Sequence, residues 1–327
     1  MKFLSYEASR TVPNIVVDGS PNESTVLTLT HWPTIPQPAG MAADLSAEMA
    51  FRYLDAPVEH APAAVVTNNH FDQDGLVGVH ALVAPDTALP HRELLIDLAA
   101  AGDFGTYRDR RAARASMTIS RFAERPHEDY ATFAARCYEE VLPLVLPMLL
   151  DGDRFREHWA DEDQALTVSE QAVASGAVTF AERIDTDLAV FTLPPAWVDR
   201  GGHRFGGEHY GWLHPMAVNS ATACVRLLLV NGRRYRYTDR YETWVQFVTR
   251  TPPRRVDLRP LAGELTALET GSARWSADEP GALTPTLEHS DESSLDPPAV
   301  VATIERHLRT AVPAWDPYAK GAQRPAP

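Results

Sequence analysis

The segment Val65-Val66-Thr67-Asn68-Asn69-His70-Phe71-Asp72-Gln73-Asp74-Gly75-Leu76 carries three metal-capable side chains at alternate positions. His70, Asp72 and Asp74 follow a β-branched apolar run, and Gly75 then permits a tight turn into a helix. Two carboxylates this close repel each other unless a cation sits between them. Their hard oxygens suit Mg2+ or Mn2+, and an adjacent imidazole tilts the choice toward Mn2+. Two other readings compete. A calcium loop of the EF-hand type would need glutamate at its twelfth position, where this chain has Ala81. In a purely structural reading, Asp72 caps the following helix and Asp74 is solvated.

Two further stretches could bind an anion. Gly201-Gly202-His203-Arg204-Phe205-Gly206-Gly207-Glu208-His209 combines glycines, which let backbone amides approach a phosphate, with imidazole and guanidinium charge. The same composition also describes a plain surface loop. His203, His209 and His214 fit no common zinc spacing. From Arg226 to Arg259 there are nine arginines against Asp239, Glu242 and Asp257, a local charge of +6 in a chain whose net charge is −14. Arg233, Arg234 and Arg236 interleave with Tyr235 and Tyr237, a pattern suited to phosphate and base contacts or to a solvated hairpin face. The sequence has no G-x-S-x-G, GxxxxGK[ST], HExxH or GxGxxG motif, which removes the commonest esterase, triphosphatase, zinc-protease and dinucleotide readings.

The elements that must position these residues are legible as short runs. Asn14–Val17, Thr25–Thr30 and Ala63–Thr67 read as buried strands that end in Asp18, His31 and His70 respectively. Helical patterns cover Asp44–Leu54, Gly75–Ala84 and His91–Ala101. This alternation predicts a parallel sheet with flanking helices, which binds ligands beyond the carboxyl ends of its strands. Two long helices, His127–Leu150 and Asp151–Ser175, read as a connector. Beyond them the pattern predicts a smaller mixed α/β C-terminal domain. It has a hairpin of Ala177–Ile184 and Leu188–Leu193, and either a helix from Ala217 to Val225 and beyond or a strand at Leu227–Val230 before the turn signal Asn231-Gly232. Tyr235, Tyr237 and Thr243–Thr249 look strand-like. The expected organisation is a metal-site domain at 1–125, a helical connector at 126–175, a substrate-binding domain at 176–310 and a mobile tail at 311–327. Two distant cysteines, Cys137 and Cys224, support neither a disulfide framework nor a zinc knuckle. With no signal-peptide pattern and no membrane-length apolar run, a cytoplasmic protein with no membrane partner is expected.

The run HFDQDGLVGVHAL resembles the first signature of the DHH phosphoesterase superfamily, an HxDxDG motif between a strand and a helix. The resemblance covers about a dozen residues directly and the two-domain layout loosely. It implies two metal ions held by Asp and His, and a second domain with a Gly- and His-containing substrate loop, to which Gly201, Gly202 and His203 are similar. This chain departs from the family in lacking an Asp-His-His triplet. Instead NIVVDG is similar to the family's lone-Asp strand, LTLTHW to its triplet strand with only His31 kept, and Asp103 in LAAAGDFG to its final Asp. The resemblance thus implies a permuted ligand set of Asp18, His31, His70, Asp72, Asp74 and Asp103, with His70, Asp72 and Asp74 catalytic.

The function this predicts is divalent-metal-dependent hydrolysis of a phosphoester or phosphoanhydride by two Mn2+ or Mg2+ ions. The substrate would be a nucleotide, a short nucleic acid or another phosphate-containing small molecule, held by His203 and Arg233, Arg234 and Arg236. The alternative is a nucleotide- or anion-binding protein without turnover on a degenerate fold of the same kind.

Overall fold

The computed structural model describes residues 1–56, 62–124, 129–195, 197, 203–205, 208–210 and 212–319, with backbone alone at 203–205 and 208–210. The chain is an α/β protein built on two main sheets. The first sheet contains β1 (Lys2–Phe3), then, after the short helix α1 (Tyr6–Ser9), β2 (Asn14–Val17) and β3 (Thr25–Leu29). Helix α2 (Ser46–Asp55) leads to its last strand, β4 (Val65–Thr67). The strand order is β1-β4-β2-β3 and every pairing is parallel. β2 is buried at all four residues, as expected for a strand covered on both faces. The edge strand β1 has only two residues, too few to show a period in the sequence.

After β4 the chain forms α3 (Gln73–Val83), α4 (Pro85–Ala88) and α5 (Arg92–Asp103); α2 and α3 pack onto the sheet, and α5 packs against α3 in the same core. Four more helices follow, α6 (Arg110–Ala123), α7 (Tyr130–Val141), α8 (Val145–Leu150) and α9 (Arg156–Ala174). The continuous helix expected over His127–Leu150 is broken at Leu142–Leu144, because Pro143 and Pro147 lack the N–H that an unbroken helix would use. Helix α6, hidden in the sequence by its arginines, buries Ala112, Ala115 and Ile119 in the same core as Phe133, Cys137 and Tyr138 of α7. Helices α6, α7 and α8 therefore pack into the first core, whereas α9 buries Trp159 and Leu166 in a separate cluster with Ala113, Met117 and Met216.

The second sheet is mixed. β5 (Thr179–Arg183) and β6 (Leu188–Leu193) form the expected hairpin, with Asp187 in the left-handed region. β7 (His203–Phe205) and β8 (Glu208–Tyr210) pair separately from it. Helix α10 (Pro215–Ala221) ends early, and β9 (Arg226–Asn231) takes the strand alternative, turning through Gly232 at φ 61° into β10 (Arg234–Asp239). The strand expected at Thr243–Thr249 does not form. Val248 and Thr249 donate their N–H groups to the Asp44 carboxylate, and Gln246 donates to the His31 carbonyl. The backbone of this stretch is thereby committed to the loops of the first sheet, and no ladder partner is available to it. The remaining elements are β11 (Arg255–Val256), α11 (Arg259–Leu268), β12 (Trp275–Ala277), β13 (Thr286–His289), α12 (Pro297–Thr310) and β14 (Pro313–Trp315). The sheet order is β12-β13-β10-β9-β6-β5. β14 pairs with β11, so this part of the expected tail is ordered by a strand ladder; residues 320–327 lie outside the described set. No helix among the described residues is long and apolar enough to cross a membrane.

Candidate metal centre

Three adjacent strands of the parallel sheet deliver the candidate ligands at their carboxyl ends. Asp18 follows the central strand β2, His31 follows β3 on one side, and His70 follows β4 on the other. Strand order therefore places Asp18 between two imidazoles. Asp18 itself takes a left-handed φ of 52° as the chain turns away from the strand end. The turn is tight because Gly19 lacks a side chain: a Cβ there would lie 2.2 Å from Asn69 Oδ1 and 2.8 Å from Asn68 Oδ1. This close approach brings the Asp18 and His70 loops together.

The carboxylate of Asp18 faces two ways. Oδ1 lies 3.3 Å from His31 Nε2 and Oδ2 lies 3.2 Å from His70 Nε2. Two groups of side chains are close enough to hold a metal ion, Asp18 with His70 and Asp72, and Asp18 with His31 and Asp74, with the ligand atoms of each group within 4.8 Å of one another. Asp103, at the end of α5, adds Oδ2 at 3.4 Å from His31 Nε2. The structure thus brings Asp18, His31, His70, Asp72, Asp74 and Asp103 into one cluster. Asp72 also does what the structural reading asked of it, capping α3 through the Gly75 N–H at 2.8 Å. Asp74 is not solvated but fully buried, and it accepts from Ser46 N and Ala47 N at 2.7 and 2.8 Å. These amides are the first of α2, whose N-cap residue Leu45 offers no side-chain oxygen, so Asp74 also supplies that cap.

The electrostatics are those of a cluster short of positive charge. Burial raises Asp74 to about 7, helped by the charge of Asp18, and burial with the neighbouring carboxylates drives Asp103 well above the ordinary range. Burial opposes ionisation of Asp18 too, yet His31 and His70 hold it far below the usual carboxylate value. Burial disfavours charge on His31, but Asp18 and Asp74 outweigh it and push the imidazole up to about 9; Asp72 and Asp18 raise His70 in the same way. Four carboxylates thus face two imidazoles, and without a metal the cluster nears neutrality only by holding protons on Asp74, Asp103 and both rings. Asp18 Oδ2, His31 Nε2 and Asp103 Oδ2 are buried and make no hydrogen bond among the described residues. Unsatisfied buried polar atoms are costly, and a cation held in each of the two groups would satisfy them. His31 is oriented for that role: Nδ1 sits 2.5 Å from the Asp44 carbonyl, which can only accept, so Nδ1 keeps its proton and Nε2 is the nitrogen that a cation would take by displacing a proton.

A cavity of about 1650 Å³ opens beside the cluster. His70, Asp72 and Asp103 line it, whereas Asp18, His31 and Asp74 lie fully buried behind them. Arg233, Arg234 and Arg236, expected to hold the substrate, do not line this cavity. They sit at the far end of the β9–β10 hairpin, where Arg233 donates to the Ser294 carbonyl and Arg236 to Glu288. Gly201 and Gly202 lie outside the described residues, as does the side chain of His203.

Sequence reasoning missed the residues that hold the ligand loops from the second half of the chain. Gln246 donates through Nε2 to the carbonyls of Trp32 and Ile35, both at 2.6 Å, and Gln246 N donates to the His31 carbonyl at 2.8 Å. Asn219 and Arg240 donate to the Phe104 carbonyl beside Asp103, at 3.0 and 3.3 Å. Only Arg240 had any signal in the sequence, as part of the arginine-rich stretch.

The fold and this cluster define an α/β protein with an Asp/His site at the carboxyl edge of a parallel sheet. The chain belongs to a family of unknown function, DUF6687, whose model matches residues 1–319. No curated protein and no solved structure matches it.

Proposed function

We propose that the protein is a divalent-metal-dependent phosphohydrolase that holds two ions, Mn2+ in preference to Mg2+, and acts on a nucleotide, a short oligonucleotide or a phosphoanhydride. One observation carries this reading: the two oxygens of Asp18 face different His/Asp groups, the arrangement of a carboxylate shared by two cations. Asp18, His70 and Asp72 would hold one ion, and Asp18, His31, Asp74 and Asp103 the other. A pair of such ions supplies Lewis-acid polarisation of a phosphoryl oxygen and a lowered pKa for attacking water. The chain's own part is to orient the ligands through the Asp44 carbonyl and the α2 amides, and to present the His70–Asp72–Asp103 edge to the cavity. Isothermal calorimetry on chelator-stripped protein tests the reading, with two Mn2+ ions expected per chain and chelator-sensitive hydrolysis of a generic phosphodiester or pyrophosphate. Absence of Mn2+ and Mg2+ binding would overturn it.

Thr30 and Trp32 flank His31 where the DHH triplet has Asp and His, which favours a second reading, binding of a nucleotide or anion without turnover. Ligand binding with two bound ions and no hydrolysis of any phosphoester would select it.

A further inference from the structure

We propose that the cavity takes a phosphoester whose organic part is a heteroaromatic ring, and that Trp32 and Tyr241, backed by the buried Trp244, form the wall against which the ring stacks. The inference rests on the phosphohydrolase reading and narrows its candidates to the ring-bearing ones, setting aside a simple phosphoanhydride.

Size is the first argument. Small-molecule sites commonly have volumes of ~300–1,000 Å³. At about 1650 Å³ this cavity far exceeds what pyrophosphate fills. The lining is the second argument. The Trp32 ring lies 5.0 Å from that of His70, and Trp244 lies 5.6 Å from both Trp32 and Tyr241. Tyr241 in turn lies 5.9 Å from the His31 ring. All three aromatic side chains line the cavity, so a phosphoryl group at the His70–Asp72 edge has aromatic surface within one ring's breadth. Stacking on such surface is favourable for any nucleobase-like ring.

The third argument is an unsatisfied polar edge. Arg240 and Glu242 flank Tyr241, line the cavity and are only 4% and 5% exposed. Arg240 is not a phosphate clamp: Glu242 neutralises it at 2.5 Å, and its terminal nitrogens donate to the carbonyls of Phe104, Asn219, Thr222 and Cys224. Arg240 Nε, Glu242 Oε2 and Asn219 Oδ1 are left buried without a hydrogen bond, and Asn219 lines the same cavity. One donor and two acceptors on a charge-neutral pair and an amide complement a ring that carries N–H groups and a carbonyl, not a phosphate.

The test titrates Mn2+-loaded protein with the four common nucleoside 5′-monophosphates, ribose 5-phosphate and pyrophosphate, read by tryptophan fluorescence and calorimetry. At least one nucleoside monophosphate is expected to bind about tenfold or more tightly than ribose 5-phosphate and to quench the fluorescence. Trp32→Leu should remove most of that difference, and Glu242→Gln should reorder the four bases. Tyr241→Leu takes the place of Trp32→Leu if the latter fails to retain Mn2+. Equal affinity for ribose 5-phosphate and the ring-bearing ligands, in protein that binds Mn2+, overturns this inference and leaves the phosphohydrolase reading standing. Failure to bind Mn2+ at all overturns both.

Discussion

At the residue scale, Asp18 is the decisive side chain, because each candidate ion needs one of its oxygens. Asp18→Asn removes that charge while keeping the shape, and asparagine tolerates the left-handed φ of 52° as aspartate does. The variant is expected to fold and to lose both ions, with calorimetric stoichiometry falling from two to none; retention of both would remove Asp18 from the site. Protons compete with the metals here. His31 and His70 are held above their ordinary range, His31 to about 9, so near neutral pH both carry a proton that an incoming cation must displace. Affinity should therefore weaken as pH falls. Calorimetry in two buffers of different ionisation enthalpy should report proton release on binding. Binding without release would exclude both imidazoles as ligands.

At the element scale, the site depends on how closely α2 and α3 approach β2. Gly78 of α3 makes this seam: a Cβ there would lie 2.4 Å from Val17 Cγ1 and 3.3 Å from Ala47 Cα. Alanine is a better helix former by about 1 kcal/mol, whereas overpacking a core costs roughly 1–3 kcal/mol. The steric cost wins, because valine is stiff and the second neighbour is backbone. Gly78→Ala should lower the urea midpoint, and it should also weaken metal binding, since Ala47 N is one of the two amides that hold Asp74. An unchanged midpoint would mean that the seam yields without cost.

At the scale of the whole molecule, the two candidate ion positions are held differently. His31 and Asp103 are anchored by Gln246, Asn219 and Arg240 from the second half of the chain, whereas His70 and Asp72 are positioned within the first sheet and α3. Partners that orient metal ligands typically matter about 10–100-fold in affinity. Gln246→Ala is therefore expected to weaken one of the two Mn2+ ions by that order and to spare the other, giving two separated phases in calorimetry. A uniform loss of both would count against the division. Arg233→Ala and Arg236→Ala, far along the β9–β10 hairpin and away from the cavity lining, should leave ligand affinity unchanged.

What the sequence determined by itself is local. The run from Val65 to Leu76 showed a strand, a metal-capable triplet and a helix because strand end, ligand spacing and glycine are all contiguous. The strands ending at Asp18 and His31 were legible for the same reason, as apolar runs stopped by polar residues. The expected single helix over His127–Leu150 failed where prolines interrupt an apolar pattern that reads as continuous. Thr243–Thr249 failed because β-branched composition reports a preference for extended backbone, not the existence of a neighbouring strand. Only the tertiary structure decided that Asp18 stands between His31 and His70, since that follows from β2 lying between β3 and β4. The structure alone also decided that Asp74 is buried against the α2 amides, and that residues 219–249 hold the loops carrying His31 and Asp103. These contacts join positions more than two hundred residues apart, and no periodicity within a short window can encode them.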